Sequence, residues 1–213
     1  MHFSSIDLLA AGAALLAVWM CGLTRLETQL WGLALQTTFL GLICWLLGQG
    51  THGLHFLLLA GVILLVKALG IPFFLSWASQ RLTVSHDIGT TSPPLSLLAG
   101  CSILIVSYFL APQIAVTTMG NAGAAGMALS LLLTGMLVMI TRRLAISQII
   151  GFLMLENGIF LYGLTQTHGM PLLLEMGIVF EVLVGVMIAG LVIFRLNRSF
   201  EHIDVTQLRG LRH

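Results

Sequence analysis

Three ionisable residues stand inside long apolar runs of the sequence. They are Lys67 in LAGVILLVKALGIPFF, Glu156 in GFLMLENGIF and Glu181 in EMGIVFEVLVG, and Glu175 stands near the start of the last run. In such a setting desolvation drives a carboxylate toward its neutral form, and a nearby cation drives it back. Groups balanced in this way exchange protons, or they lock together as a static ion pair that fixes packing. Counting along the chain puts all three at one level. Lys67 lies 14 residues before Arg81, Glu181 lies 14 before Arg195, and Glu156 lies 13 after Arg143. At 1.5 Å per residue each is about 20 Å from a basic boundary. Asn157 supplies an amide either to Glu156 or to a helix contact. A proton or cation path, a structural pairing and a substrate site all remain open on these residues.

The elements that must hold these charges are membrane spans. Mean hydropathy is +1.03, and the 213 residues are 58% hydrophobic and 8% charged, against about 25% charge in a soluble domain. Seven runs have the roughly 20 apolar residues a bilayer span requires: 5–23, 30–48, 54–78, 93–111, 121–140, 145–164 and 172–194. The fold class expected is all-α, a polytopic transmembrane helical protein. The first run lacks the basic flank of a signal peptide and reads as a retained span. Pro72 is expected to kink the third run or to end its regular part.

The basic residues test the count of spans. Of nine Lys and Arg, Lys67 is the single lysine. Arg25, Arg81, Arg142 and Arg143 fall in the first, third and fifth connections, and Arg195, Arg198, Arg209 and Arg212 follow the seventh run. Seven spans put every arginine on one side, which the positive-inside rule makes cytoplasmic. The N-terminus is then outside and the C-terminus cytoplasmic. Asp7 and Glu27 fall near span boundaries, as do Tyr162 and the tryptophans.

Several function classes lack their residues. Cys21, Cys44 and Cys101 have neither disulfide nor metal spacing and read as small hydrophobes. His52, His55 and His168 fall in connections or at span ends, and no metal pair is expected of them. No cofactor is expected: there is no nucleotide-binding glycine loop, haem pair or cysteine cluster. There is also no basic aromatic surface for nucleic acid. The glycines of GAAG at 123–126, with Gly151 and Gly158, are expected to be close-packing points between helices.

The sequence carries a family pattern as well. TRRLAISQIIGFLMLENGIFLYG, EMGIVFEVLVGVMIAGLVIF and EHIDVTQLRG, with VKALGIPFFL in the first half, resemble component E of hydrogenase-4 and formate hydrogenlyase, which are membrane-bound nickel–iron hydrogenase complexes. The last three spans resemble the small K subunit of respiratory complex I and its counterpart in multisubunit cation/proton antiporters. The resemblance implies a four-span segment over 1–118 and a complex I K-like three-span segment with a cytoplasmic tail over 119–213. It matches Arg142 and Arg143 to the family's basic pair, and Glu156 and Glu181 to its two central carboxylates. Lys67 and Glu175 match the longer hydrogenase component.

The function it implies is a subunit that is not catalytic alone. Such a subunit contributes Glu156, Glu181, Lys67 and Glu175 to a lateral proton or cation path, with Asn157, Arg142 and Arg143 in support. Its partners would be antiporter-like and other membrane-arm subunits in a bacterial or archaeal cytoplasmic membrane. The alternatives are a purely structural assembly subunit, or a subunit of a cation/proton antiporter without hydrogenase. A stand-alone transporter fits less well, because paired discontinuous spans are missing.

Overall fold

The computed structural model describes residues 5–48, 58, 60–81, 87, 89–115, 122–166, 185 and 190. Every regular element among them is helical, as lipid requires of a chain that must satisfy its own backbone hydrogen bonds. The helices are α1 (Ser5–Cys21), α2 (Leu26–Gly48), a π-helical segment α3 (Ile63–Gly70) continued by α4 (Ile71–Arg81), then α5 (Pro93–Ile114), α6 (Ala122–Thr141) and α7 (Ala145–Gln166). Among the described residues, five stretches are long and apolar enough to cross a membrane: Leu26–Leu47, Ala60–Trp77, Pro93–Ile114, Ala122–Thr141 and Ala145–Gln166. The apolar α1 is shorter, at 17 residues. The first six runs in the sequence therefore each carry a helix. Most of the seventh run, with Glu175 and Glu181, lies outside the described residues, as do His52, His55, His168 and the arginines of the tail.

Helix α1 packs against α2, α5 and α6, and α7 packs against α6 and α2. The segment α3–α4 packs against α2. Helix α1 packs closely against its neighbours through Ala10, Ala13, Ala14 and Ala17, which are fully buried. Their spacing lines one helical face with methyl groups, so that neighbours approach closely.

The pairing of α6 with α7 is tighter still. A Cβ added at Gly135 would run into the main-chain nitrogen of Leu155. One added at Gly151 would lie 2.8 Å from the nitrogen of Met139, and one at Gly158 2.9 Å from the carbonyl of Ala128. Backbone meets backbone along this seam, so glycine is required there. Gly126, in the GAAG stretch, has the same role against α5, where an added Cβ would be 2.7 Å from that of Ala111.

The irregular part of the third run precedes Pro72. The Ile71 N–H donates to Val66 O, five residues back, and the α-helix resumes at Ile71. A proline ring clashes with the carbonyl four residues before it, and widening the preceding turns relieves that clash. Lys67 sits within the widened segment.

One rim of the bundle gathers the first, third and fifth connections. Asp87 N donates to Thr24 O at 2.9 Å, and Thr90 N to Thr141 O at 2.8 Å. The buried Arg142 donates from its guanidinium to Cys21 O at 2.7 Å, where the carbonyls at the end of α1 carry the negative pole of its dipole. At the opposite rim, the Tyr162 hydroxyl donates to Ile114 O at 2.7 Å.

Candidate functional site

Lys67 and Glu156 meet. The ammonium Nζ of Lys67 lies 2.7 Å from Oε1 of Glu156, and their side chains are only 8% and 4% exposed. The π-helical segment presents Lys67 to the bundle, while Leu65, Val66 and Leu69 around it face outward. The Lys67 ammonium also lies 5.7 Å from the centroid of the Phe160 ring, close enough for an attraction to the ring face. Phe160 stands one turn beyond Glu156, so α7 supplies two of the groups around this cation.

The two carboxylate oxygens of Glu156 have different surroundings. Oε1 accepts from Lys67, whereas buried Oε2 has no hydrogen-bond partner among the described residues. An ionised carboxylate carries several acceptor sites, and an unsatisfied one in an apolar interior is costly. Either a proton on Oε2 or a donor from a water or a neighbouring chain would relieve it.

Asn157 turns away from this pair. Its Nδ2 donates to Gln36 Oε1 at 3.2 Å and to Thr37 Oγ1 at 3.1 Å, both on α2. Gln36 Nε2 in turn donates to Ala13 O on α1 at 3.4 Å, and Thr37 Oγ1 donates to Leu33 O at 2.9 Å. Of the two uses expected for Asn157, the helix contact is the one in place. All of these side chains are buried, and together they form a polar row at the depth of Glu156 that crosses α3, α7, α2 and α1.

Sequence reasoning alone misses Gln36 and Thr37. Their signal is a neutral polar pair at the centre of LALQTTFLGL, 11 and 12 residues beyond Arg25, which is nearly the level of the charges. It also misses Asp87, whose buried carboxylate accepts the Leu144 N–H at 3.4 Å at the start of α7. The basic pair divides: Arg142 is buried and caps α1, while Arg143 is exposed. Glu27 is exposed at the start of α2, and Trp19, Trp31, Trp45 and Trp77 are exposed too. Cys21 and Cys44 are buried and Cys101 is exposed, and none of the three is in a disulfide. A groove of about 690 Å³ between α2 and α3–α4 is lined by Glu27, Trp31, Leu65, Phe73 and Ser76 among others, and includes neither Lys67 nor Glu156.

No family model matches the chain, and no solved structure matches it. The chain is similar to several curated proteins. The uncharacterized protein Rv0085 of Mycobacterium tuberculosis is 29% identical over 210 residues, covering 97% of this chain and 96% of that protein. Hydrogenase-4 component E of Escherichia coli K12 is 25% identical over 150 residues, covering 70% of this chain and 69% of that protein. With several apolar helices long enough to span a bilayer, the chain is a multi-pass membrane protein distantly similar to hydrogenase-4 component E.

Proposed function

We propose that the chain is a non-catalytic membrane subunit of a hydrogenase-like complex, in which Lys67 and Glu156 belong to a lateral path for protons. The observation that carries this reading is the buried ion pair at 2.7 Å, in which Glu156 keeps Oε2 without a partner among the described residues. Charges inside a membrane cost at least about 2.5–3.5 kcal/mol each on insertion scales, and proton relays and ion pathways are among the uses that retain them. The similarity to hydrogenase-4 component E supports the setting. In this reading Glu156 is alternately protonated and ionised, and Lys67 sets the balance between the two forms. Glu181 and Glu175, outside the described residues, would be further carboxylates of the path, with Asn157 and the basic pair Arg142–Arg143 in support, and a seven-span topology would put the tail in the cytoplasm. The three-span segment over 119–213 then carries Glu156 and Glu181, and the four-span segment over 1–118 brings Lys67 to it.

A second reading has its own observation. Asn157 ties α7 to α2 through two hydrogen bonds, so the whole polar row would also serve as a device that fixes helix packing. Gentle affinity purification of the tagged chain, followed by mass spectrometry of what stays bound, tests the setting. A nickel–iron hydrogenase large subunit with antiporter-like membrane subunits is the expected result. Antiporter-like partners without hydrogenase would move the path to a cation/proton antiporter, and a folded chain recovered alone would overturn the subunit reading.

A further inference from the structure

The structure assigns Asn157, with Gln36 and Thr37 as its partners, as the positioning residue that sets which way Glu156 faces. The inference rests on the reading of Glu156 as the proton-carrying group. Along α7, Glu156 and Asn157 are neighbours, and successive residues on a helix point about 100° apart. Asn157 is bonded to α2, and Glu156 is bonded to Lys67 on α3, which itself packs beside α2. Holding Asn157 on α2 therefore aims Glu156 at Lys67.

On another face of α7, Gly151 and Gly158 meet the backbone of α6, and the Tyr162 hydroxyl donates to Ile114 O near the helix's end; neither contact aims the turn that carries Glu156 at α3. The amide supplies the missing direction because it donates twice, at 3.2 Å to Gln36 and 3.1 Å to Thr37. Rotation of α7 either way lengthens one of those bonds. The acceptors are themselves held in place. Thr37 gives its own hydrogen to Leu33 O, and Gln36 is anchored on Ala13 O. Glu156 Oε1 is thus delivered to the lysine, and Oε2 is the atom left to take up the proton.

The test uses the full chain with its bound partners in lipid nanodiscs and reads pH-difference infrared spectra. The carboxyl band that disappears in E156Q belongs to Glu156. Asn157→Leu, close to Asn in size, is expected to shift and broaden that band, and to lower the rate of proton transfer by on the order of ten- to a hundredfold, as small misplacements of reacting groups do. The double variant Q36L/T37V should reproduce the effect, and adding N157L to it should cost little more, because the three residues act as one unit. T37S, which keeps the hydroxyl, should restore the parent band. If N157L does not assemble, T37V removes one hydroxyl at nearly constant shape and must still move the band. An unchanged Glu156 band in N157L or T37V overturns the positioning role. The proton-transfer rate of E156Q tests the underlying reading by itself, so the two fail separately.

Discussion

A lysine and a glutamate buried together are stable only as a pair. Each ion loses several kcal/mol of hydration, which close contact and further hydrogen bonds must offset. Here the offset comes from a 2.7 Å contact and the Phe160 ring, while Glu156 Oε2 and Asn157 Oδ1 have no partner among the described residues. Removing one member leaves an uncompensated buried charge, so Lys67→Met should destabilise the protein by about 3–5 kcal/mol. The double variant K67M/E156Q, which removes both charges, should recover most of that loss. Thermal unfolding in detergent measures both, and additive losses would show that the contact contributes nothing. The common depth of the two residues was legible in the sequence, because helical rise per residue is nearly constant and arginines mark the boundary. The choice of Glu156 as Lys67's partner was not legible, since a residue count carries depth but no azimuth. Gln36 and Thr37 were hidden for another reason. A hydroxyl in an apolar run usually bonds back to its own helix, as Thr38 does to Ala34 O, so neutral polar residues draw little notice there.

At the scale of elements, α7 is held by two unlike surfaces. Toward α6 the contact is backbone on backbone, and its glycines were readable as close-packing points from small residues recurring in apolar runs. Toward α2 it is a pair of directional hydrogen bonds. Gly151→Ala places a methyl 2.8 Å from the Met139 nitrogen and 2.9 Å from the Gly135 carbonyl. Main-chain atoms cannot swing aside, so the helices must part, at a cost of about 1–3 kcal/mol. Gly61→Ala is the control: nothing lies within 4 Å of the added Cβ, and alanine's better helix propensity should make it neutral or stabilising by up to about 1 kcal/mol. Equal melting temperatures for the two variants would contradict the tight seam. The third run shows where sequence reasoning stopped short. Pro72 foretold an irregularity, but its position follows from the ring's clash with the preceding carbonyl, which spreads the disturbance back over Ile63–Gly70. Arg142 is a similar case. It reads as one of two loop charges, yet it is buried because the end of α1 needs a donor.

Over the whole molecule, the polar row lies across the bundle rather than along it. Lys67 on α3, Glu156 and Asn157 on α7, Gln36 and Thr37 on α2, and the Ala13 carbonyl on α1 stand near one depth. Under the proposed function such a layer would serve lateral transfer between neighbouring subunits. The connections bearing Arg25, Arg142 and Arg143 meet at one rim through the Asp87–Thr24 and Thr90–Thr141 hydrogen bonds, and the proposed topology makes that rim cytoplasmic. In a cysteine-free background, Arg143→Cys should react with a membrane-impermeant maleimide only from the cytoplasmic side, and His168→Cys only from outside. Labelling of both from one side would contradict the topology.

The most direct test of the account is proton transfer by membrane vesicles or proteoliposomes carrying the assembled complex with Glu156→Gln. Glutamine keeps the shape and can still accept from Lys67, but it cannot carry the proton. The account expects assembly to persist while proton transfer falls at least about a hundredfold, the scale on which loss of a positioned proton-transfer group is felt. Transfer at the parent rate by a fully assembled E156Q complex would contradict it and leave the buried pair a structural one.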